Sequence, residues 1–385
     1  MAKHLIVNLG SDSKKYSLFE NGEEVSHVHF EVESTRQYAT LDGEEKAISS
    51  VEYENSHIYF LEYLKKTGKV NAFEDIVAVA FRIVAPGTYF TEHRVIDSDF
   101  KSKILLASTV APLHLASLIK EIEKWGNVIS GVKMFGVSDS AFHKNMLELS
   151  KIYAISQDIA RQFDVYRFGY HGISVASVIN QIREMGSSVP ERIIVCHLGS
   201  GASIVALKKG ETLDTSMGFT PLEGLPMNSR TGDIDAGAVV YLQEKLGFNS
   251  EQIKEFLNHK SGLLAVGGIE KGGVRELIEL KEKGNKQADL ALNLFAYKVK
   301  KYVGSYVAVL GGLDLLVFTA TIGERSAIMR KLICDGLDVL GISLDQTKNE
   351  AITNSAGEIG SGVVNVLVVK TDEAKEMEKE LSKLA

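Results

Sequence analysis

Two stretches decide the fold: Val7-Asn8-Leu9-Gly10-Ser11 and Cys196-His197-Leu198-Gly199-Ser200. Each is the end of a short apolar run that breaks at a glycine. The first leads into an apolar segment at 16–19, the turn Asn21-Gly22 and another at 25–30; the second leads into 204–207 and a turn at Gly210. Both read strand, glycine turn, strand, glycine turn, strand, so the chain repeats one three-strand meander. If both halves carry this hairpin, the two turns are expected to face each other across a cleft. Each then offers backbone N–H groups that no side chain blocks, which suits a phosphate chain.

Outward from these hairpins, short apolar strands at 76–84 and 132–137 are paired with helical patterns at 104–125 and 144–163, the mark of an α/β protein. The 385 residues allow two or three domains at about 150 residues each. With five prolines and no Ser/Gly-rich tract, the boundary is expected inside a helix or tight turn, near Met146. The net charge of −7 gives no footprint for generic nucleic-acid binding. Cys196 and Cys334 have no partner at metal-ligand spacing and suit a reducing cytoplasm. The first apolar run, 5–7, is too short for a signal peptide's core, and the most apolar stretch, 302–320, is broken by Gly311, Gly312 and Asp314. Export and membrane insertion are therefore not expected.

Several segments bear chemistry, each with a plainer alternative. Around the first turn, Asn8, Ser11, Ser13 and Lys15 are donors for anionic oxygen or an ordinary polar β-turn. Arg82 closes an apolar strand and either faces a cleft or pairs with Asp139 or Glu92. Asp139 follows the strand ending at Val137, where it serves a crevice or caps a helix. His171 stands between Gly169 and Gly172 before a helix at 174–185, as a cleft donor or as that helix's cap. The loop 214–235 is the strongest local signal: Gly218, Gly224, Gly232, Pro221 and Pro226 fix its backbone, and Arg230 is its only cation. Asp233 and Asp235 are that arginine's alternative partners. A buried strand at 315–318 runs into a glycine turn at Gly323, and Asp372 and Glu373 read as favourable charges at the start of the last helix.

In this order the segments resemble the acetokinase family of the acetate and sugar kinase, Hsp70 and actin superfamily. The resemblance spans nearly the whole chain: NLGSDSKKY (8–16), FRIVAPG (81–87), APLH (111–114), DSAFH (139–143), FGYHGIS (168–174), CHLGSGAS (196–203), the loop 214–235, FAYKVKKY (295–302), FTATIGE (318–324) and KTDE (370–373). It implies two similar ribonuclease H-like domains, a duplicated βββαβαβα core, flanking an active-site cleft. Residues 1–146, with 372–385 packing back, would form an acid-binding domain, and 147–371 a nucleotide-binding and dimerisation domain. The activity implied is reversible phosphoryl transfer from ATP to acetate in a cytoplasmic homodimer, with Mg²⁺ or Mn²⁺. Carried over by position, the resemblance makes Asn8 and Glu373 the metal residues, Lys15 a phosphate contact, and Arg82 the binder of the acid. Asp139 becomes the acidic active-site residue, and His171 and Arg230 stabilise the transition state. His114 lies in the same cleft, and Val84, Leu113, Tyr170 and Pro221 surround the acid's methyl group. The segment 197–201 (His197, Leu198, Gly199, Ser200, Gly201) matches the phosphate loop, with Gly273, Val274, Arg275 and Thr321, Ile322, Gly323, Glu324, Arg325 around the nucleotide.

The chain departs from the family pattern mainly on the nucleotide side. Ser200 replaces an Asn, Ala320-Thr321 replaces Gly-Gly, Arg325 replaces an Asn, and Gly273-Val274 replaces Asp-Phe. Thr321 is therefore expected to crowd an adenosine pocket, and a ribose-binding carboxylate is lost, leaving another nucleotide or pyrophosphate as alternative donors. On the acid side Ala85-Pro86 and Leu115–Leu118 differ, Val175 replaces a second histidine, and Tyr170 adds a hydroxyl that needs a partner if buried. Propionate or butyrate remains an alternative acid, because one methylene is worth only about 1–3 kcal/mol. A sugar kinase would use Asp139 as a base towards a hydroxyl, yet a neutral substrate does not require both Arg82 and Arg230. A nucleotide-binding paralogue without turnover is the non-enzymatic reading.

Overall fold

The computed structural model describes the chain except Met1, Ala2, Ser11, Asp12, Ser34, Thr35, Ala111 and Ser187, and the side chains of residue 33 and residues 112–114. Ser11 and the side chains of Leu113 and His114 thus lie outside the described residues. The chain forms two compact units, Met1–Phe142 with Asp372–Ala385, and His143–Thr371. The division passes through the one-turn helix Asp139–His143.

The first unit holds an eight-stranded sheet built from β1 (Lys3–Leu9), β2 (Ser13–Glu20), β3 (Glu23–Glu33), β4 (Arg36–Leu41), β5 (Glu44–Ile48), β6 (Ile76–Ile83), β7 (Arg94–Val95) and β8 (Lys133–Ser138). Its order is β5-β4-β3-β2-β1-β6-β8-β7. The second unit holds β9 (Arg192–Leu198), β10 (Ala202–Lys208), β11 (Glu211–Thr215), β12 (Leu315–Thr319), β13 (Gly357–Glu358) and β14 (Asn365–Val368), in the order β11-β10-β9-β12-β14-β13. Aligned on their hairpins, β3-β2-β1-β6-β8-β7 and β11-β10-β9-β12-β14-β13 have the same order. They also share strand sense: the meanders are antiparallel, the next two strands run parallel to the first, and the edge strand turns back. The repetition read from the two glycine hairpins is therefore a repetition of whole sheets.

Burial follows from this topology. Strands β9, β10 and β12 are buried along almost their full length, as central strands covered on both faces must be. In the first unit Tyr16, Phe30, Phe60 and Trp125 are buried together, with Tyr16 meeting Trp125 edge to face at 5.4 Å.

Three local expectations change. The pattern at 104–125 is two helices, Ser98–Ser108 and Pro112–Val128, the second beginning on a proline, which is accepted at a first helical position. The pattern at 144–163 is likewise broken, into Glu148–Lys151 and Gln157–Phe163. After β12 the left-handed residue is Ala320 (φ 62°), while Gly323 lies inside the short helix Ala320–Arg325.

That short helix is held from behind by Arg330, whose side chain is 0% exposed. Its guanidinium donates to the carbonyls of Gly323 (2.8 Å), Glu324 (3.0 Å), Asn349 (2.7 Å) and Ile352 (2.8 Å) and to Asn349 Oδ1 (2.7 Å). Burial pulls the Arg330 pKa down to about 10, which leaves it cationic at neutral pH. Arg330→Met removes every one of these donors and strands several buried carbonyls. The expected cost is about 3–5 kcal/mol, read as a lowered urea midpoint at unchanged m-value.

Candidate active site

In the first unit the polar end of the sheet is assembled by register. Asn8 on β1 lies opposite Lys15 on β2, and directly opposed residues of antiparallel strands share a face. Lys14, one residue earlier, points the other way: its ammonium donates to Ser56 Oγ (2.9 Å) and Glu121 Oε2 (3.3 Å). Alternation along β2 thus leaves Lys15 exposed on the Asn8 side. On the neighbouring β6, Arg82 pairs with Val137 of β8, whose strand ends one residue before Asp139.

Arg82 is the centre of this cluster. Its Nε and Nη2 donate to Asp139 Oδ1 (3.0 Å) and Oδ2 (2.9 Å), a two-bond fork, while Nη1 donates to Glu373 Oε2 at 2.9 Å. The same carboxylate oxygen accepts from Asn8 Nδ2 at 2.7 Å. Burial alone would lower the Arg82 pKa, but the two carboxylates outweigh it and push it up. The cation is therefore fixed in charge and direction. Of the partners considered for it, Asp139 is present, whereas Glu92 pairs with Arg94. Asp139 is 0% exposed. Asp372 caps the last helix, Glu373–Leu384, and Glu373 itself turns to Arg82 and Asn8.

Among the described residues no group of three or more His, Cys, Asp or Glu side chains could hold a metal ion. Asn8 and Glu373 meet through Asn8 Nδ2 and Glu373 Oε2, and the oxygens of an amide and a carboxylate are hard donors of the kind that suit Mg²⁺ or Mn²⁺. Two such residues would fit an ion whose shell is completed by phosphate oxygens and water. Val84 follows β6 and is half-buried.

The second unit gathers the phosphate-loop residues. Gly199 N–H donates to Gly201 O at 3.0 Å, closing the turn between β9 and β10. His171 has a left-handed backbone (φ 60°) at the start of helix Gly172–Glu184, and its side chain does not cap that helix. Instead its Nδ1 lies 3.0 Å from Ser203 Oγ and its ring stacks on His197 at 4.2 Å between centroids. Ser203 and His197 are opposed in the β9–β10 register, so one face of that hairpin carries both supports. A Cβ at Gly201 would come 3.4 Å from His171 Nε2, an ordinary contact distance, so the imidazole sits directly beside this turn. Leu198 is core, and His197 is buried.

The long loop is positioned by its glycines and carboxylates. Gly232 (φ 68°) packs so closely that a Cβ would fall 2.5 Å from Leu225 C. Asp233 accepts from Gly224 N–H (2.9 Å) and the Tyr302 hydroxyl (2.7 Å), and Asp235 caps helix Ala236–Leu246. The two aspartates nearest Arg230 are thus engaged in holding backbone. Arg230 Nη1 approaches Pro221 O (3.4 Å) and Met227 Sδ (3.7 Å), and burial pulls its pKa down. A desolvated guanidinium gains strongly from an arriving anion. Tyr170 is fully buried, and its hydroxyl finds the partner it needs in Phe219 O at 2.7 Å.

A cavity of about 670 Å³ lies beside the loop. It brings together Ser200, Gly273, Val274, Arg275, Thr321, Ile322 and Arg325 from three separate sequence segments. Thr321 stands in the wall of this cavity without filling it. Gly323 and Glu324 are not among its lining residues: Glu324 is buried, and its Oε1 accepts from Ala320 N–H (3.0 Å) and Thr371 N–H (3.3 Å). Asn228, Glu279 and Glu282 also line the cavity and were missed by sequence reasoning, as was Ser203. Asn228 lies within the recognised loop and Ser203 within CHLGSGAS, so motif membership was the available signal.

The acetokinase family profile matches residues 3–378. An acetate kinase of Dictyoglomus turgidum is 39% identical over 360 residues, covering 90% of this chain and 89% of that protein. Among solved structures, an acetate kinase of Porphyromonas gingivalis (33% identity, TM-score 0.87) and a propionate kinase of Francisella tularensis (32% identity, TM-score 0.91) each align over 100% of both chains. With this sheet order, this placement of arginines and carboxylates, and a match over nearly the whole length, the chain belongs to the acetokinase family.

Proposed function

We propose that the protein transfers a phosphoryl group reversibly between ATP and acetate, giving acetyl phosphate and ADP by direct in-line attack of the carboxylate. An organic acid of pKa about 4–5 is already an anionic nucleophile at neutral pH, so no base is needed to deprotonate it. The obstacle is charge: a carboxylate meeting a phosphate costs about 4 kcal/mol per charge pair at 4 Å and an effective dielectric near 20. Arg82, held as a fixed cation by Asp139 and Glu373, is the observation that carries this reading. Arg82 would take the acid, Arg230 and His171 the equatorial oxygens of the transferring group, and Lys15 the donor phosphates. Mg²⁺ or Mn²⁺ at Asn8 and Glu373, when bound, would supply further positive charge to the donor's phosphates.

The unit Met1–Phe142 with Asp372–Ala385 would serve the acid, with Val84 towards its methyl group, and the family pattern would give Leu113 and His114 parts in the same site. His143–Thr371 would serve the nucleotide and contribute Tyr170 and Pro221 to the methyl group. The 670 Å³ cavity supports a nucleotide over bare pyrophosphate, because it extends from Ser200 of the phosphate loop across Gly273–Arg275 and Thr321. Apolar exposed side chains on the second unit, Val240, Tyr241, Leu246 and Tyr297, support a homodimer. Two buried free cysteines, and the absence among the described residues of a helix long and apolar enough to cross a membrane, are consistent with a cytoplasmic place.

Trapping the acyl phosphate as its hydroxamate, with acetate, propionate and butyrate each against ATP, GTP and pyrophosphate, tests the reading. Acetate with ATP and Mg²⁺ is expected to give the highest kcat/KM, and a chelator to stop the reaction. Absence of hydroxamate with every pair would overturn it.

A further inference from the structure

We infer that His93, through the Nε2-protonated neutral form of its ring, is a positioning residue that holds Asp139 and the Glu373-bearing helix in register around Arg82. The inference rests on the acid-binding role proposed for Arg82. His93 immediately precedes β7, the two-residue edge strand paired to Gly136 and Phe135 of β8. There its Nδ1 accepts the backbone N–H of Ser138 at 3.0 Å, one residue before Asp139. A ring nitrogen that accepts a hydrogen bond carries no proton, so the imidazole's hydrogen is on Nε2. That nitrogen points to Glu380 Oε2 at 3.6 Å.

Glu380 follows Glu373 by seven residues, two helical turns, so the two side chains project from one side of helix Glu373–Leu384. One imidazole therefore lies between both elements that deliver carboxylates to Arg82: hydrogen-bonded to the end of β8 through its Nδ1, and with its Nε2 3.6 Å from the Glu380 carboxylate of the last helix. Burial lowers the His93 pKa, with Lys383 acting in the same sense and Glu380 opposing, which agrees with a neutral ring. Ser138 is fixed from its other side too, since its hydroxyl donates to Phe90 O and accepts from Ser140 N–H at 3.2 Å. His93 thus supplies a side-chain acceptor to the Ser138 N–H, and no group of the reaction is asked of it.

The test compares His93→Leu with His93→Gln in the full-length protein. Leucine fills the space but accepts nothing; glutamine offers an oxygen to Ser138 N–H and an N–H to Glu380. For His93→Leu, kcat/KM for acetate is expected to fall about 10–100-fold, as when the partner that orients an active-site ligand is removed. KM for ATP should change much less than KM for acetate, because the cavity residues belong to the other unit and only the Glu373 side of the donor's phosphates lies on the helix that His93 meets. His93→Gln should recover to within about threefold of wild type. Nitrogen-15 NMR of the imidazole in the unaltered protein should show protonation at Nε2 alone. Unchanged acetate kinetics in His93→Leu, equal losses towards acetate and ATP, failure of glutamine to rescue, or a proton on Nδ1 would each overturn the inference. A wild-type protein with no acyl phosphate activity would instead sink the proposed function, and the NMR signature would still decide the state of His93.

Discussion

Arg82→Ala is expected to lower kcat for acetyl phosphate formation by at least about 10²–10³-fold, the scale of losing one preorganised charge donor from a transition state. The residue has two tasks and the variant loses both. Its guanidinium is the cation proposed to meet the acid, and it also neutralises Asp139, which is 0% exposed. Removing it leaves a buried carboxylate with its main counter-charge gone. Breaking such a pair costs about 3–5 kcal/mol, so the urea midpoint should fall together with kcat. Arg82→Lys separates the effects. One ammonium can partly neutralise Asp139 and recover stability, but it cannot make the fork to both Asp139 oxygens and reach Glu373 as well. Recovery of the midpoint without recovery of kcat is the expected pattern. Wild-type turnover in either variant would contradict the role.

Arg230→Ala is expected to cost about 10²–10³-fold in kcat as well, with the loss in the chemical step rather than in KM for ATP. Besides the long Arg230 contacts to Pro221 and Met227, the loop that carries Arg230 is held by bonds that do not use its side chain. Tyr302 and Gly224 hold Asp233, the Tyr153 hydroxyl accepts from Phe219 N–H at 2.8 Å and donates to Glu223, and Ser229 O accepts from Ser261 N–H at 3.1 Å. The variant should therefore keep its near-ultraviolet circular dichroism while losing turnover. Burial already lowers the pKa of this guanidinium, meaning that the folded protein spends free energy to keep a cation there. A loss below about threefold, or a loss confined to KM for ATP, would show that the cation serves something other than the transferring group.

The reach of the sequence can be read from particular residues. The hairpins at Gly10 and Gly199 were legible because a short apolar run, a glycine and a second alternating run are local signals. Strands β4 and β5 were not: β5 has only Ile48 buried, and such polar edge strands carry no apolar period. The two-residue strands β7 and β13 are too short to show any pattern. In the site, the chemistry-bearing residues stood out as residue types, but their partners did not. Arg82 meets Asp139 across 57 residues and Glu373 across 291, contacts set by sheet order rather than by spacing. Glu373 read as a charge favourable to a helix start, which is a local fact, whereas its bond to Asn8 depends on the last helix returning to the first unit. His93 escaped notice for the same reason, since only the pairing of β7 with β8 brings it to Ser138.

A double-variant cycle on single-turnover phosphoryl transfer from ATP to acetate, with wild type, Arg82→Ala, Arg230→Ala and both together, addresses the joint action of the two guanidinium groups. If both serve one transition state, removing the second after the first costs much less than removing it alone, so the combined loss falls well short of the product of the single losses. Losses that multiply in full, or a double variant that turns over like the wild type, would contradict it.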